Sequence, residues 1–176
     1  IKVNEKVEHI RVVMAELQRI ASHLLCTGVF GLDLGAFTPF LWALRDRERI
    51  LDLFELTCGA RLLYNYMWIG GLSHDIPVGF VESTFKFLDY FDPKVDELEN
   101  ILAHNKILVE RSADIGVMPK DVAISYGVTG PNLRASGVKW DLRKNDPYSI
   151  YDRFEFDIPI GEGKKGTVGD CWDRFY

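Results

Sequence analysis

Apolar residues recur at three- and four-residue steps near the start of the chain: Ile10, Val13, Met14, Leu17, Ile20, Ala21, Leu24 and Leu25. This spacing gathers them on one side of a helix and predicts an amphipathic helix over residues 5–28. Gly28, Gly31 and Gly35 then predict a glycine-broken loop as far as Phe37. Thr38-Pro39, an N-cap residue followed by proline, opens a second predicted helix. It runs to Ile69, about 45 Å at the usual rise per residue. Its early turns are charged, with Arg45 and Glu48, then Arg49 and Asp52, as opposite charges three apart. Its later turns hold Gly59-Ala60, small enough for a second helix to come close, and Gly70-Gly71 ends it.

The pattern beyond it predicts a helix over residues 81–90 and another from Asp92-Pro93, with Val95, Leu98, Ile101 and Leu102 as its stripe. A further helix through Ile107, Leu108 and Ala113 runs up to Gly116, and a short one covers residues 119–126. From Gly127 the character changes. Thr129-Gly130-Pro131-Asn132, Ser136-Gly137 and Pro147-Tyr148 are turn signals. Phe154, Phe156, Ile158 and Ile160 then alternate with Glu155, Asp157 and Pro159, the period of a strand. The expected fold is mainly α, a helical bundle over residues 1–126 with a small β and loop-rich section over residues 127–176.

Composition narrows the class. Of 176 residues, 47% are hydrophobic and 27% charged, as in a packed globular protein. The net charge of −5 and the lack of any Lys/Arg run set nucleic acid aside. Cys26, Cys58 and Cys171 are too far apart for a CxxC pair or a disulfide framework, which fits a reducing compartment. The apolar stretch over residues 62–73 is too short to span a bilayer, so membrane association would come through a partner. The start shows neither a signal-peptide core nor an initiator Met, and an amphipathic segment opens at Asp170–Tyr176. The chain therefore reads as an internal piece of a longer polypeptide.

Few constellations carry chemistry. Gly161, Gly163 and Gly166 match the letters of the dinucleotide fingerprint, but no helix follows to hold a pyrophosphate, so a flexible surface loop is expected there. His9, His23, His74 and His104 are scattered, HExxH, CxxC and EF-hand spacings are missing, and no metal site is expected. His23, near the apolar face of the first helix, reads as a hydrogen-bonded core or boundary histidine. Asp33 is the only charged residue between His23 and Arg45, set among Phe30, Leu32, Leu34 and Phe37. A carboxylate in such company is paired, hydrogen-bonded or protonated. It either satisfies nearby backbone amides or takes part in proton transfer. Residues 133–144, basic around Trp140, suit an anion site, or a solvated or subunit-facing loop.

Three ordered stretches bring a resemblance: residues 32–40 (LDLGAFTPF), residues 133–144 (LRASGVKWDLRK) and residues 169–174 (GDCWDR), joined by residues 11–17 and 58–61. The chain resembles, over its whole length, the quinone-site (49-kDa or D) subunit of respiratory complex I, NADH:quinone oxidoreductase. That family is also similar to nickel–iron hydrogenase large subunits, although the paired CxxC motifs for nickel are missing here. The resemblance implies a helical subunit beside the small subunit carrying the terminal iron–sulfur cluster. A quinone (ubiquinone or menaquinone) is the implied substrate, with NAD and the iron–sulfur clusters held by partner subunits. It implies proton pumping through a membrane arm, and a place peripheral to the energy-transducing membrane, on its cytoplasmic face in a bacterium. Asp33 matches the family's aspartate that partners a quinone-contacting histidine. Leu25, Val29, Phe37, Phe40 and Leu41 fall at or near cavity-lining positions. The quinone-contacting histidine and tyrosine lie upstream of this segment, so the segment alone is expected to be inactive.

Departures from the family accompany the match. Leu63 stands where many members have a histidine near the cluster, Trp68 replaces a frequent arginine, and the loop over residues 161–167 is longer. These point toward a menaquinone-type enzyme. Two other functions fit the same sequence: a relative fed by reduced F420 or ferredoxin, and a scaffold subunit without catalysis.

Overall fold

The computed structural model describes residues 2–176. Its contacts fall into two compact units, one ending at Glu99 and one running from Asn100 to Tyr176.

The first unit opens with α1 (Glu5–Asp33), capped by Asn4, whose side chain accepts from the Lys6 amide. Ile10, Met14, Leu17, Ala21 and Leu24 of the predicted stripe are buried, while Val13 and Leu25 are exposed. The expected break at Gly28 does not occur. Gly28 and Gly31 are buried within the helix, and a Cβ on Gly28 would stand 3.1 Å from Ala43 Cβ and 3.3 Å from the Phe40 ring. A helical glycine costs about 1 kcal/mol relative to alanine; here it lets a second helix come close enough to bury both faces.

That second helix, α2 (Phe37–Cys58), starts two residues earlier than expected, with Ala36 and not Thr38 at the N-cap position, and ends well short of Ile69. Gly59 stops it, at φ +73° in the left-handed region, with its amide donating to the Glu55 carbonyl at 2.8 Å. Reading Gly59 as a packing residue missed its role as the helix terminator. The chain beyond makes a small antiparallel hairpin, β1 (Met67–Trp68) and β2 (Gly71–Leu72), with Met67 opposite Leu72. Arg11 ties α1 to it, its Nη2 donating to the carbonyls of Trp68 and Gly71 at 2.7 and 2.8 Å. One helix, α3 (Phe80–Ile101), replaces the two expected around Asp92. Pro93 lies inside it: a proline deletes one backbone donor, and burial of Phe87 and Leu98 on either side holds the helix together. Stripes from α1, α2 and α3 join Tyr66 in one core, each large apolar side chain contributing on the order of 2 kcal/mol.

The second unit is built of short pieces. In α4 (Lys106–Ser112), Asn105 caps the amides of Ile107 and Leu108, and the helix stops before Gly116. Then come α5 (Lys120–Ser125), where expected, and α6 (Gly130–Ala135), where only turn signals stood. The unit closes with α7 (Leu142–Asn145) and α8 (Cys171–Phe175). Trp172 is buried and donates from Nε1 to the Ala103 carbonyl at 3.1 Å. Residues 154–160 do not form the expected strand. Their side chains alternate between half-buried and exposed as a strand's would, but no ladder partner is present among the described residues. The mainly-α class is borne out, with the only described sheet at residues 67–72. No described helix is long and apolar enough to cross a membrane.

Candidate functional site

Asp33 is the last residue of α1, and α2 begins at Phe37, so a three-residue link joins two antiparallel helices. The link is tight: the amides of Leu34, Gly35 and Ala36 donate to the carbonyls of Phe30, Leu32 and Gly31 at 3.2, 2.9 and 2.7 Å. It brings all six sequence-predicted site residues to one end of the helical hairpin. At the helical rise, Leu25 lies only about 12 Å along the axis from Asp33. Asp33 is exposed, not enclosed among apolar side chains as expected. The side chains around it are themselves open: Leu25, Val29, Leu32, Phe37 and Leu41 are all exposed, Phe37 to 57%. Phe40 is half-buried, its ring 6.2 Å from that of Phe37 and close to Gly28. Exposed runs of large apolar side chains are a feature of interaction surfaces in proteins generally.

Two of the three departures also sit on open surface. Leu63 is 92% exposed and Trp68 53%, next to Leu62 and Ile69, which are likewise exposed. Beside them Arg61 forms ion pairs with Glu48, Asp52 and Glu55, at 2.7 and 2.8 Å for the latter two. Among the described residues the expected three-apart pairs are not formed; Glu48 and Asp52 turn to Arg61, and Arg49 stacks on Tyr90. A cavity of roughly 580 Å³ opens on the same unit, lined by Met14, Arg19, His23, Phe54, Tyr64 and Met67 among others. Its volume is within the range of small-molecule pockets, but none of the six predicted residues lines it. His23 is exposed at its edge.

Sequence reasoning missed the buried carboxylates. Asp46 is fully buried; it accepts from Arg45 Nε at 2.7 Å, Arg45 Nη2 at 3.1 Å and the Tyr90 hydroxyl at 2.7 Å. Burial, then the hydrogen bond to Asp46, raises the Tyr90 pKa. Asp141 accepts from the Arg143 amide and guanidinium and pairs with Arg134. The Arg143 side-chain hydrogen bond is the largest influence, and the Asp141 carboxyl is held down at about 2. Two of the four basic residues in the segment over residues 133–144, Arg134 and Arg143, are therefore paired with one aspartate.

The glycine-rich stretch is not the flexible loop expected. Asp173 Oδ2 accepts from the amides of Gly163 and Gly169 at 3.0 and 3.2 Å. Asp170, fully buried, accepts from the amides of Asp114 and Asp173 at 2.8 and 2.9 Å. A side chain on Gly161 would collide with the Ala135 carbonyl, and one on Gly166 with the Asp170 carboxylate. These glycines serve close packing, not phosphate binding. An aspartate three residues before another at a helix start was the available signal for this knot. Among the described residues no group of three His, Cys, Asp or Glu side chains is placed to hold a metal.

Comparison with known proteins agrees with the resemblance. Residues 33–176 match the family described as respiratory-chain NADH dehydrogenase, 49 Kd subunit. The chain is 58% identical over 172 residues to the D-1 subunit of the NADH-quinone oxidoreductase of Cytophaga hutchinsonii, covering 98% of this chain and 44% of that protein. It is 57% identical over 173 residues to the corresponding D subunit of Amoebophilus asiaticus, with 98% and 43% covered. Against the D subunit of Chlorobaculum tepidum the identity is 56% over 174 residues, with 99% and 44% covered. The chain thus spans less than half the length of these relatives.

Proposed function

Since the chain belongs to the family of the 49 kDa subunit of respiratory-chain NADH dehydrogenase, we propose that its α1–α2 tip forms one wall of a quinone-reduction site. Reduction of a quinone to a quinol takes up two electrons and two protons. Iron–sulfur clusters on partner subunits supply the electrons, the last of them carried by the small subunit beside this wall. Leu25, Val29, Phe37, Phe40 and Leu41 give the ring and its tail an apolar surface that excludes water. Asp33, at the mouth of that surface, orients a neighbouring proton donor and passes it a proton as negative charge develops on the ring oxygens. The assembled enzyme couples this uptake to proton translocation through its membrane arm. The subunit itself is peripheral, on the cytoplasmic face in a bacterium. Leu63, without an ionisable group, leaves the terminal cluster's potential independent of pH near that position.

The observation that carries this reading is one exposed carboxylate sharing a helical-hairpin tip with exposed large apolar side chains. A photoreactive quinone applied to the complete enzyme tests it. Labelling should fall on peptides from residues 25–41 and be displaced by excess natural quinone. Displaceable labelling confined to other peptides of this subunit would remove the tip from the site.

A further inference from the structure

Leu24, Gly28 and Gly31 form a buried line along α1, and Leu25, Val29 and Leu32 lie exposed beside it. α2 meets this line at Gly28, with the fully buried Ala43 and with Phe40. Of the five apolar side chains of the tip, Leu25, Val29, Phe37 and Leu41 are open to solvent. Phe40 alone is half-buried, and its ring rests against the backbone of Gly28. A Cβ on Gly28 would stand 3.3 Å from the ring's Cδ2, 3.4 Å from Phe40 Cα and 3.1 Å from Ala43 Cβ. At this point the two helices already touch, so no further chain enters between them, whatever lies over the tip.

The two neighbours of that missing Cβ differ in how they can respond. At these distances each must give by a few tenths of an ångström. Ala43 gives only if the α2 backbone moves, whereas the Phe40 ring gives by turning outward, toward the exposed side chains. Helix propensity by itself would prefer alanine here by about 1 kcal/mol. Glycine forgoes that and leaves the ring withdrawn. We propose that Gly28 is a positioning residue: by omitting a Cβ it keeps the Phe40 ring drawn in between α1 and α2, and so sets how wide a quinone ring the wall accepts. The inference rests on the tip being that wall. A withdrawn Phe40 leaves room for a fused two-ring quinone; a ring pushed outward narrows the wall to a single-ring one.

Reduction of a naphthoquinone and of a benzoquinone with the same tail, by the complete enzyme, tests it, with turnover referred to the content of reducible terminal cluster. Gly28→Ala should raise the ratio of the two KM values, naphthoquinone over benzoquinone, roughly ten-fold. Looser packing alone would lower both activities together and leave the ratio in place. Added to Phe40→Ala, Gly28→Ala has no ring to displace and should leave the ratio where Phe40→Ala sets it. Should Gly28→Ala not assemble, the pair Gly28→Ala and Ala43→Gly removes the contact with Ala43, keeps that with the ring, and is read in the same way. An unchanged ratio overturns the proposal, as does an equal shift with and without the Phe40 ring. If Phe40→Ala itself changes neither KM, the tip is not the wall and the proposed function fails with the inference. If Phe40→Ala raises them and Gly28→Ala leaves the ratio in place, only the role of Gly28 fails.

Discussion

The α1–α2 tip and the knot around Asp170 and Asp173 use carboxylates in opposite ways. In the knot each aspartate is buried and takes two backbone amides, so the chain closes its own polar groups and fixes a glycine-rich loop. At the tip Asp33 is exposed and its apolar neighbours are open. The knot is finished by its own sequence. In the proposed reading the tip is a half-site whose other wall belongs to a neighbour, so its residues matter to turnover while mattering little to the fold.

The contrast can be broken by substitution. Asp173→Ala leaves two amides without their acceptor and should cost about 3 kcal/mol in urea denaturation of the full-length subunit. A loss under about 1 kcal/mol would mean that the knot is solvated. Asp141→Asn comes next, at about 2 kcal/mol near neutral pH. The Asp141 carboxyl lies below its unfolded value, at about 2. Its contribution is therefore complete above pH of about 4 and is lost as pH falls toward about 2; the substituted protein should lack that part of the acid limb. Tyr90→Phe removes one hydrogen bond to Asp46 and should cost about 1 kcal/mol. Leu41→Ser, at the exposed tip, should change stability by less than about 0.5 kcal/mol and yet raise the KM for quinone in the complete enzyme. A large destabilisation by Leu41→Ser would make the tip a folding element instead.

The sequence carried the helices through their periodicity and misjudged their ends. Gly28, Gly59 and Pro93 show why. One glycine sits inside a helix because a neighbour presses on it, another ends a helix at positive φ, and a proline is carried by the packing on either side. Local letters are alike in these cases, and tertiary contact decides between them. Residues 154–160 teach the converse: the alternation was legible and is obeyed, but a strand needs a partner that no local pattern supplies. The tip residues were found through family resemblance, since spacing alone left Asp33 open. The Asp46–Tyr90 contact and the distant amides gathered by Asp170 and Asp173 escaped because only folding brings them together. The local Asp141–Arg143 and Asp170–Asp173 caps, by contrast, were there to be read.

The central claim is that the tip carboxylate takes part in quinone proton chemistry. The direct measurement is quinone reduction by the complete enzyme carrying Asp33→Asn, with assembly and reduction of the terminal cluster followed separately. The account predicts a loss of about a hundred-fold or more in turnover, with the complex assembled and the cluster reduced as in the unsubstituted enzyme. Near-normal turnover would contradict it and return Asp33 to the role of a helix-ending aspartate.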